Sequence, residues 1–436
     1  MNTLLDAIRN GNYDAAFQML YGSADRSRAE KVAAGFLSRF PENRGTAALY
    51  SAPGRTELGG NHTDHQHGRV LCASVDLDIL ACAAPNGLGL IRVCSEGYPA
   101  LEISLEELQP RQAEQGSSQA LVRGICAQIA AGGFRLGGVD VYAHSTVLSG
   151  SGLSSSAAYE ILMGTILNDL FCENRLTPTD LAIIGQQAEK HFFGKPCGLM
   201  DQMGASIGGA VALDFRDPAL PEIQPIAYDF SRSGHVLCVV DTKSEHADLT
   251  GEYAAIPREM SAVAACFGKG VLRQVPEAAF RARLPELRSR CGDRAVLRAL
   301  HFYGEDKRVV QEAEALEQGD FFRFLELVKA SGLSSSLLLQ NISVSADPAH
   351  QAVALALALG RELLAGTGAI RVHGGGFAGT ILAFVPADRL EAFRDGMEQV
   401  FGRGACHILR IRPVGGCVLQ AVATSRRSGP ERKRNG

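Results

Sequence analysis

Apolar side chains recur at helical spacing in the first 40 residues and then change to the alternation that is typical of strands. Val32, Phe36 and Phe40 lie four residues apart, which places them on one face of a helix. From residue 47 onward, short apolar runs are separated by turn residues such as Pro53-Gly54, and each run predicts a strand. The predicted strands are 47–51, 70–83, 88–94, 139–147, 210–215, 237–241, 380–385 and 408–412. The predicted helices are 154–170, 181–192, 255–267, 293–318, 320–330, 349–365 and 388–401.

The order of these elements predicts two α+β domains. Strands and helices occur in both halves without regular alternation, which argues against a doubly wound parallel sheet and for mixed sheets covered by helices. A polar, proline-bearing stretch at 218–233 marks the expected boundary. We therefore predict a helical extension at 1–27, an N-terminal domain at 28–228, a C-terminal domain at 229–425 and a basic, disordered tail at 426–436.

Charge and composition exclude several classes of protein. The 436 residues include 43 basic and 47 acidic side chains, so no positive excess is available for nucleic acid. No apolar run approaches the roughly 20 residues of a membrane helix, and charged residues interrupt the first 20 positions, where a signal peptide would be apolar. Eleven cysteines without a C-x-x-C pair are typical of free thiols, which predicts a cytoplasmic protein.

Residues 150–158 read G-S-G-L-S-S-S-A-A and lie between a predicted strand and a predicted helix. Glycines allow the backbone to approach an anion, and the first N–H groups of the helix point toward it, so this segment predicts a phosphate-binding loop. A serine hydroxyl there can also bind Mg²⁺. The alternative is an ordinary glycine turn with a serine N-cap, which needs only one serine. The loop is not a Walker P-loop, because the chain has no G-x-x-x-x-G-K-[ST].

Residues 53–66 concentrate Arg, Glu, Asn, His and Asp in a glycine-rich loop between apolar strands. Such a density of hydrogen-bonding groups suits the hydroxyls of a sugar. Two other interpretations stay open: a metal site made of His62, His65 and His67 with Asp64, and a purely structural turn.

Four motifs in this chain occur in an order that resembles the galactokinase family of the GHMP small-molecule kinases. They are G-R-T-E-L-G-G-N-H-T-D-H at 54–65, L-S-G-S-G-L-S-S-S-A at 148–157, P-C-G-L-M-D-Q at 196–202 and G-G-G-F-A-G at 374–379. The resemblance implies the two-domain GHMP kinase fold with the active site in the cleft between the domains. It also implies direct in-line phosphoryl transfer from ATP, with Mg²⁺, to the 1-hydroxyl of a sugar, namely D-galactose, by a monomer or weak homo-oligomer.

The resemblance also assigns roles to individual residues. Asp201 would orient or deprotonate the sugar hydroxyl, and Arg55 would pair with Asp201 and help to neutralise the transferring group. An aspartate held by an arginine is a weak base, which favours the orienting role. The implied sugar-binding residues are Glu57, Asn61, His62, Asp64, Gly198 and Tyr253. The implied ATP-binding residues are Gly150, Ser151, Gly152, Leu153, Ser154, Ser155, Ser156 and Ala157. The implied Mg²⁺ ligands are Ser155 and Glu189.

Departures from the family pattern bear on the substrate. Asn61 stands where the family has Glu, and Glu57 stands where it has Asn. The loss of a charge at position 61 leaves open a different sugar, such as an N-acetylhexosamine or arabinose, or a sugar- and ATP-binding sensor without turnover. The intact S-S-S-A-A at 154–158 favours the kinase. A serine hydrolase, suggested by H-G-G-G at 373–376, requires a G-x-S-x-G elbow that the chain lacks.

Overall fold

The computed structural model describes residues 4–43, 45–147, 152–195, 197–244, 249–377 and 379–422. The predicted loop residues Gly150 and Ser151 and the basic tail at 426–436 lie outside the described residues.

Twelve strands in the described part of the chain form two separate sheets. They are β1 Ala48–Gly59, β2 Arg69–Pro85, β3 Leu90–Ser95, β4 Leu101–Ser104, β5 Val139–Ser145, β6 Ala210–Asp214, β7 Glu222–Ile226, β8 His235–Asp241, β9 Ala369–His373, β10 Thr380–Pro386, β11 Cys406–Leu409 and β12 Cys417–Val418. The first sheet has the order β12-β1-β2-β5-β3-β4, with β6 paired to β2 and β7 paired to β6. The second sheet has the order β11-β8-β10-β9. The pairing is antiparallel except between β3 and β5, so the first sheet is mixed, as expected.

Helices cover both sheets and fill the space between them. They are α1 Leu4–Arg9, α2 Asp14–Tyr21, α3 Ser27–Arg39, α4 Ser118–Ala131, α5 Ser155–Phe171, α6 Pro178–Ala188, α7 Met200–Ile207, α8 Thr250–Ala265, α9 Glu277–Ala282, α10 Leu284–Cys291, α11 Asp293–Glu317, α12 Phe321–Ser334, α13 Ala352–Leu364 and α14 Leu390–Phe401. A large core joins the first sheet to α4, α5 and α12. Smaller cores join β8–β11 to α13 and α14, and α8 to α9, α10 and α11.

The strand β1 carries the most important local irregularity. Its register against β2 shifts between Pro53 and Arg55 and again between Glu57 and Gly59. Such bulges bend a strand and re-aim its side chains. In the segment of β1 that carries Arg55, the side chains therefore do not simply alternate between the two faces of the sheet. All the residues from Leu49 to Gly59 are buried.

The α+β expectation is confirmed, but the predicted boundary region contains an element that the sequence did not reveal. Residues 222–226, which were expected to be polar linker, form the strand β7. Four of its five residues are exposed and it pairs only with β6, so it is an edge strand that tolerates Pro225. The strand β12 returns to the first sheet beside β1, so residues 417–418 lie with the N-terminal strands rather than with β8–β11. The predicted strand 408–412 occurs earlier, at Cys406–Leu409.

Candidate active site

Arg55, on a strand of the first sheet, forms an ion pair with Asp201, on a helix that packs against that sheet. Arg55 lies in the bulged part of β1, and Asp201 lies in the first turn of α7. The guanidinium donates from Nε to Asp201 Oδ1 at 2.8 Å and approaches the same oxygen with Nη2 at 2.7 Å. The Arg55 side chain is buried, whereas the Asp201 side chain is 32% exposed. The carboxylate is therefore fixed by a buried cation while part of it stays open to a small molecule.

The serine loop approaches the same carboxylate from the other side. Ser154 Oγ donates to Asp201 Oδ2 at 2.8 Å, and the Gly152 carbonyl accepts a hydrogen bond from Arg55 Nη1. The Arg55 N–H donates to the Leu153 carbonyl at 3.0 Å. Ser154 has a φ of 56°, a strained backbone conformation for a residue other than glycine, which is often found at functional sites. The described part of the loop and Asp201 thus face each other directly.

These contacts set the protonation state of Asp201. Burial alone would favour the neutral acid, but the Arg55 guanidinium and the Ser154 hydroxyl outweigh it and hold the pKa of Asp201 below its usual value. Asp201 is therefore ionised at neutral pH. A carboxylate with a lowered pKa orients a hydroxyl well and is a weak base.

Helix α5 begins at Ser155 without a side-chain cap, because Ser154 directs its hydroxyl to Asp201 instead. The first N–H groups of a helix have no partner within the helix, so this uncapped end is suited to an anion. Next to it lies a cavity of about 480 Å³, lined mainly by apolar side chains and by Ser155, Ser156 and Tyr159. The hydroxyl of Tyr159 is buried and has no hydrogen-bond partner among the described residues.

Glu189 lies at the start of a π-turn, Glu189–Phe193, which follows α6 directly. Its Oε1 accepts from Ser156 Oγ at 3.3 Å and from Lys195 Nζ at 3.0 Å, and its Oε2 accepts from Gln202 Nε2 at 2.9 Å. The serine that contacts Glu189 is thus Ser156, and no such contact links Ser155 to Glu189 in the described residues.

Magnesium fits this corner of the site. A buried carboxylate oxygen that already holds an ammonium group, with a hydroxyl beside it, has the oxygen donors that Mg²⁺ prefers. No group of three or more His, Cys, Asp or Glu side chains in the described residues could hold a metal ion. The same result removes the metal alternative for His62, His65, His67 and Asp64.

Asp64 lies close to the Asp201 pair and to Gly198. A Cβ atom at Gly198 would lie 1.5 Å from Asp64 Oδ2, so only glycine fits there. Asp64 Oδ1 accepts from the His65 N–H at 2.8 Å. Burial, followed by the charge of Asp201, raises the pKa of Asp64 to about 6. Asp64, Asp201 and the backbone at Gly198 therefore lie close together.

Tyr253 and His62 flank the glycine segment that follows β9. Tyr253 Oη donates to the Gly376 carbonyl at 2.9 Å, and the tyrosine side chain stays 37% exposed. His62 Nε2 lies 3.0 Å from the Gly375 carbonyl and donates to it. Burial lowers the pKa of His62 to about 4, so its ring is neutral. The glycine segment thus contacts the loop after β1 and the helix α8.

Asn61 and Glu57, both predicted to bind the sugar, contact other parts of the protein. Asn61 is fully buried and its amide makes four hydrogen bonds: Nδ2 donates to Glu57 and to the Gly374 carbonyl, and Oδ1 accepts from Ser335 and Asn341. The Glu57 carboxylate is buried against Arg371. Burial raises the pKa of Glu57 to about 7, and Arg371 opposes that rise. These two side chains tie the end of β1 to β9 and to the segment after α12, and both polar atoms of the Asn61 amide are fully engaged within the protein.

Sequence reasoning missed two features of the site. The sequence does not single out Lys195, because one lysine ahead of P-C-G-L-M-D-Q forms no motif. The cavity beside α5 is built from apolar positions of β2, β3 and β5, which read as ordinary core residues. The sequence feature that could have indicated the cavity is the serine loop, because the cavity lies beside it.

Comparisons with known proteins agree with this geometry. Residues 120–209 match the family model for the GHMP kinases N terminal domain, and residues 34–85 match the galactokinase galactose-binding signature. The chain is 33% identical over 389 residues to the galactokinase of Streptomyces coelicolor, covering 88% of this chain and 96% of that protein.

Solved structures show the same fold. The Lactococcus lactis galactokinase complexed with galactose superposes with a TM-score of 0.75 at 22% identity, covering 90% of this chain and 99% of that one. The L. major mevalonate kinase in complex with R-mevalonate has a TM-score of 0.57 at 15% identity, covering 84% of this chain and 96% of that one. The architecture is that of the GHMP kinases, which transfer a phosphoryl group to an alcohol. Within that class, this chain belongs to the galactokinase family. No helix in the described residues is both long and apolar enough to cross a bilayer.

Proposed function

We propose that this protein transfers the γ-phosphoryl group of ATP to the 1-hydroxyl of D-galactose, giving galactose 1-phosphate and ADP. The observation that carries the proposal is Asp201, held between Arg55 and Ser154 directly beside the uncapped start of α5. Phosphoryl transfer needs an oriented nucleophile and neutralised phosphate charge, and this arrangement supplies both at one place. Membership of the galactokinase family and the names of its relatives support galactose as the acceptor.

The nucleotide would lie across the N-terminus of α5. The described loop residues Gly152, Leu153 and Ser154 and the first turn of α5, with Ser155, Ser156 and Ala157, would receive the phosphates on backbone N–H groups. The neighbouring cavity of about 480 Å³ is large and apolar enough for the purine base, with the unpartnered Tyr159 hydroxyl as a polar contact.

Glu189 would hold Mg²⁺. The hydroxyl within hydrogen-bond distance of Glu189 is that of Ser156, whereas the family resemblance implied Ser155 as the serine ligand. When bound, the ion would neutralise charge on the phosphates.

The sugar would lie between Asp201 and the segment 62–64. Asp64 would accept hydrogen bonds from sugar hydroxyls, Gly198 would leave room for the ring, and Tyr253 and His62 would border the site. Asn61 and Glu57 would act indirectly, by holding β1 against β9.

In the transfer step, the oxygen of the 1-hydroxyl forms a bond to the γ-phosphorus as the bond from phosphorus to the β,γ-bridging oxygen breaks. ADP leaves with that electron pair, and the hydroxyl proton passes to Asp201. Because the pKa of Asp201 is lowered, the proton moves late, after the new bond has begun to form. Arg55 stabilises the carboxylate and lies next to the developing charge.

The remaining expectations form part of the same proposal. The domain limits 28–228 and 229–425, a monomeric or weakly associating state and a cytoplasmic location are all proposed. All 11 cysteines are free, which supports a reducing compartment.

A sugar panel tests the proposal. ADP formation is measured with Mg²⁺–ATP and galactose, arabinose, N-acetylgalactosamine or glucose, with Asp201→Asn prepared identically as the control for contaminating kinases. The proposal expects turnover with galactose and none above background in the variant. Turnover with another sugar only would change the substrate, and sugar binding without any turnover would favour the sensor.

A further inference from the structure

Lys195 places its ammonium group beside Glu189, on the solvent side of the site. It follows Gly194, which ends the π-turn with a φ of 87°, and its N–H donates to the Glu189 carbonyl at 3.1 Å. Its backbone is thus tied to the turn that carries Glu189. Its ammonium lies 3.0 Å from Glu189 Oε1, and its side chain is 57% exposed where that of Glu189 is 3% exposed.

The ion pair with Glu189 is a poor candidate for a structural role. The Glu189 carboxylate already accepts hydrogen bonds from Ser156 and Gln202, so it stays partnered without Lys195. A pair with one largely exposed member contributes little stability, because water screens it and the long side chain loses entropy. A lysine that contributes little to folding yet is held at this carboxylate calls for another explanation.

The surroundings of Lys195 give that explanation. Its ammonium contacts Glu189, the carboxylate proposed to hold Mg²⁺, and is close enough to Asp201 for the two charges to interact. The Arg55 guanidinium is occupied by Asp201 and the Gly152 carbonyl. A γ-phosphoryl group placed between α5 and Asp201 would come within reach of the Lys195 side chain, whose flexible stem lets the ammonium move.

We propose that Lys195 is a further catalytic residue, whose ammonium leaves Glu189 when the Mg²⁺–nucleotide complex binds and then contacts the γ-phosphoryl oxygens during transfer. The inference rests on the proposed function, because it assumes phosphoryl transfer at this site. Cationic side chains that meet the charge of the transferring group are effective catalysts, since they act where the charge is concentrated.

The test compares Lys195→Met, Lys195→Arg and a control, Lys329→Met, in which the lysine lies on α12 and pairs with Glu326. We expect Lys195→Met to lower kcat about 100-fold with a much smaller change in the KM for galactose, and Lys195→Arg to restore part of the loss. Calorimetry gives a readout without turnover. We expect wild type to bind the γ-phosphate-containing analogue AMPPNP more tightly than ADP, and Lys195→Met to lose that difference. The Lys329→Met control should match wild type in both.

Two results would overturn the inference. One is a folded Lys195→Met protein with unchanged kcat and an unchanged preference for AMPPNP over ADP. The other is tighter Mg²⁺–nucleotide binding with kcat unchanged or raised, which would mean that Lys195 only competes for Glu189. Absence of sugar phosphorylation by wild type would instead refute the proposed function, and the calorimetric comparison would still decide whether Lys195 contacts the γ-phosphate.

Discussion

At the residue scale, the proposed chemistry depends on how two side chains share the Asp201 carboxylate. Arg55 takes Oδ1 of Asp201 and Ser154 takes Oδ2, so both oxygens are fixed before any substrate arrives. Ser154 reaches this position by adopting a left-handed backbone conformation and by giving up the cap of α5. The same strained residue thus leaves the helix N-terminus uncapped, where phosphate is proposed to bind, and fixes Asp201, which is proposed to orient the sugar.

Replacing Asp201 by Asn should separate the chemistry from nucleotide binding. The amide keeps the shape of the side chain but loses the charge and the ability to accept the sugar's proton. We expect kcat to fall by about 10²–10⁴-fold, with the affinity for AMPPNP close to that of wild type, because Asp201 lies on the sugar side. Steady-state kinetics and calorimetry measure the two effects, and a kcat near that of wild type would contradict this placement.

Galactose binding should depend on the protonation of Asp64. Its pKa is raised to about 6, so above that pH the carboxylate is ionised and can accept the hydrogen bonds proposed from sugar hydroxyls. As pH falls through about 6, Asp64 takes up a proton and loses acceptor capacity, so the KM for galactose should rise. Asp64→Asn should have a high KM that no longer changes between pH 5 and 8. A constant KM for wild type over that range would argue against the assigned role.

At the scale of elements, the contact between β1 and α11 contains a buried acid without a hydrogen-bond partner in the described residues. Neither oxygen of Glu312 has a hydrogen-bond partner in the described residues, and a Cβ at Gly59 would lie 1.8 Å from Oε2. Burial and the nearby charge of Glu305 raise the pKa of Glu312 well above its usual value. Burial of this carboxyl therefore favours its protonated form.

Glu312→Gln should stabilise the protein at high pH. A raised folded-state pKa costs stability once the pH exceeds the unfolded value of roughly 4.3, and the cost grows until the folded pKa is reached. The amide removes that cost, so the variant should have a higher Tm than wild type at pH 8 and nearly the same Tm at pH 4. Glu314→Gln, exposed on the same helix, is the control. An equal change at both pH values would exclude protonation as the cause.

The elements themselves show what the sequence could and could not predict. Period-2 and period-3.6 patterns identified most strands and helices, because each is encoded within a few neighbouring residues. The Arg55–Asp201 pair followed from motif letters. The burial of Asn61 did not, since Ser335, Asn341 and Gly374 lie 274, 280 and 313 residues further along the chain. Only the fold brings these partners together. From the sequence alone, a polar side chain in this motif is therefore interpreted as a contact to the sugar.

At the scale of the whole molecule, the candidate active site is held by contacts between the first sheet and the end of β9. His373 Nε2 lies 3.1 Å from Thr56 Oγ1 and accepts from the Glu57 N–H, and its Nδ1 lies 3.0 Å from Thr380 Oγ1. Burial, aided by Arg55, lowers the pKa of His373 well below its usual value, so the ring is neutral. A Cβ at Gly152 would lie 2.4 Å from Thr380 Oγ1, so the serine loop also meets the second sheet.

The N-terminal helices have a structural explanation in this arrangement. Ile8, Phe17 and Leu20 pack with Leu49 and Leu80 on the outer face of the first sheet. Phe17 is 1% exposed. The extension thus covers apolar surface on the side of β1 and β2 away from the large core.

Phe17→Ala should therefore destabilise the protein without changing its chemistry. Loss of a buried phenylalanine leaves a cavity and costs about 3–5 kcal/mol of unfolding free energy. Denaturant unfolding should show that loss, while kcat at a temperature where the variant is folded should match wild type. Met19→Ala, on the same helix but 48% exposed, is the control. A folded Phe17→Ala protein with a large drop in kcat would tie the extension to the active site.

The stereochemistry at phosphorus tests the central claim most directly. Asp201 and the start of α5 face each other closely enough for one direct displacement, with no protein side chain carrying the phosphoryl group between them. With ATP made chiral at the γ-phosphorus by oxygen isotopes and galactose as acceptor, the account predicts galactose 1-phosphate with inverted configuration. Retained configuration, which requires a phosphorylated enzyme intermediate, would contradict it.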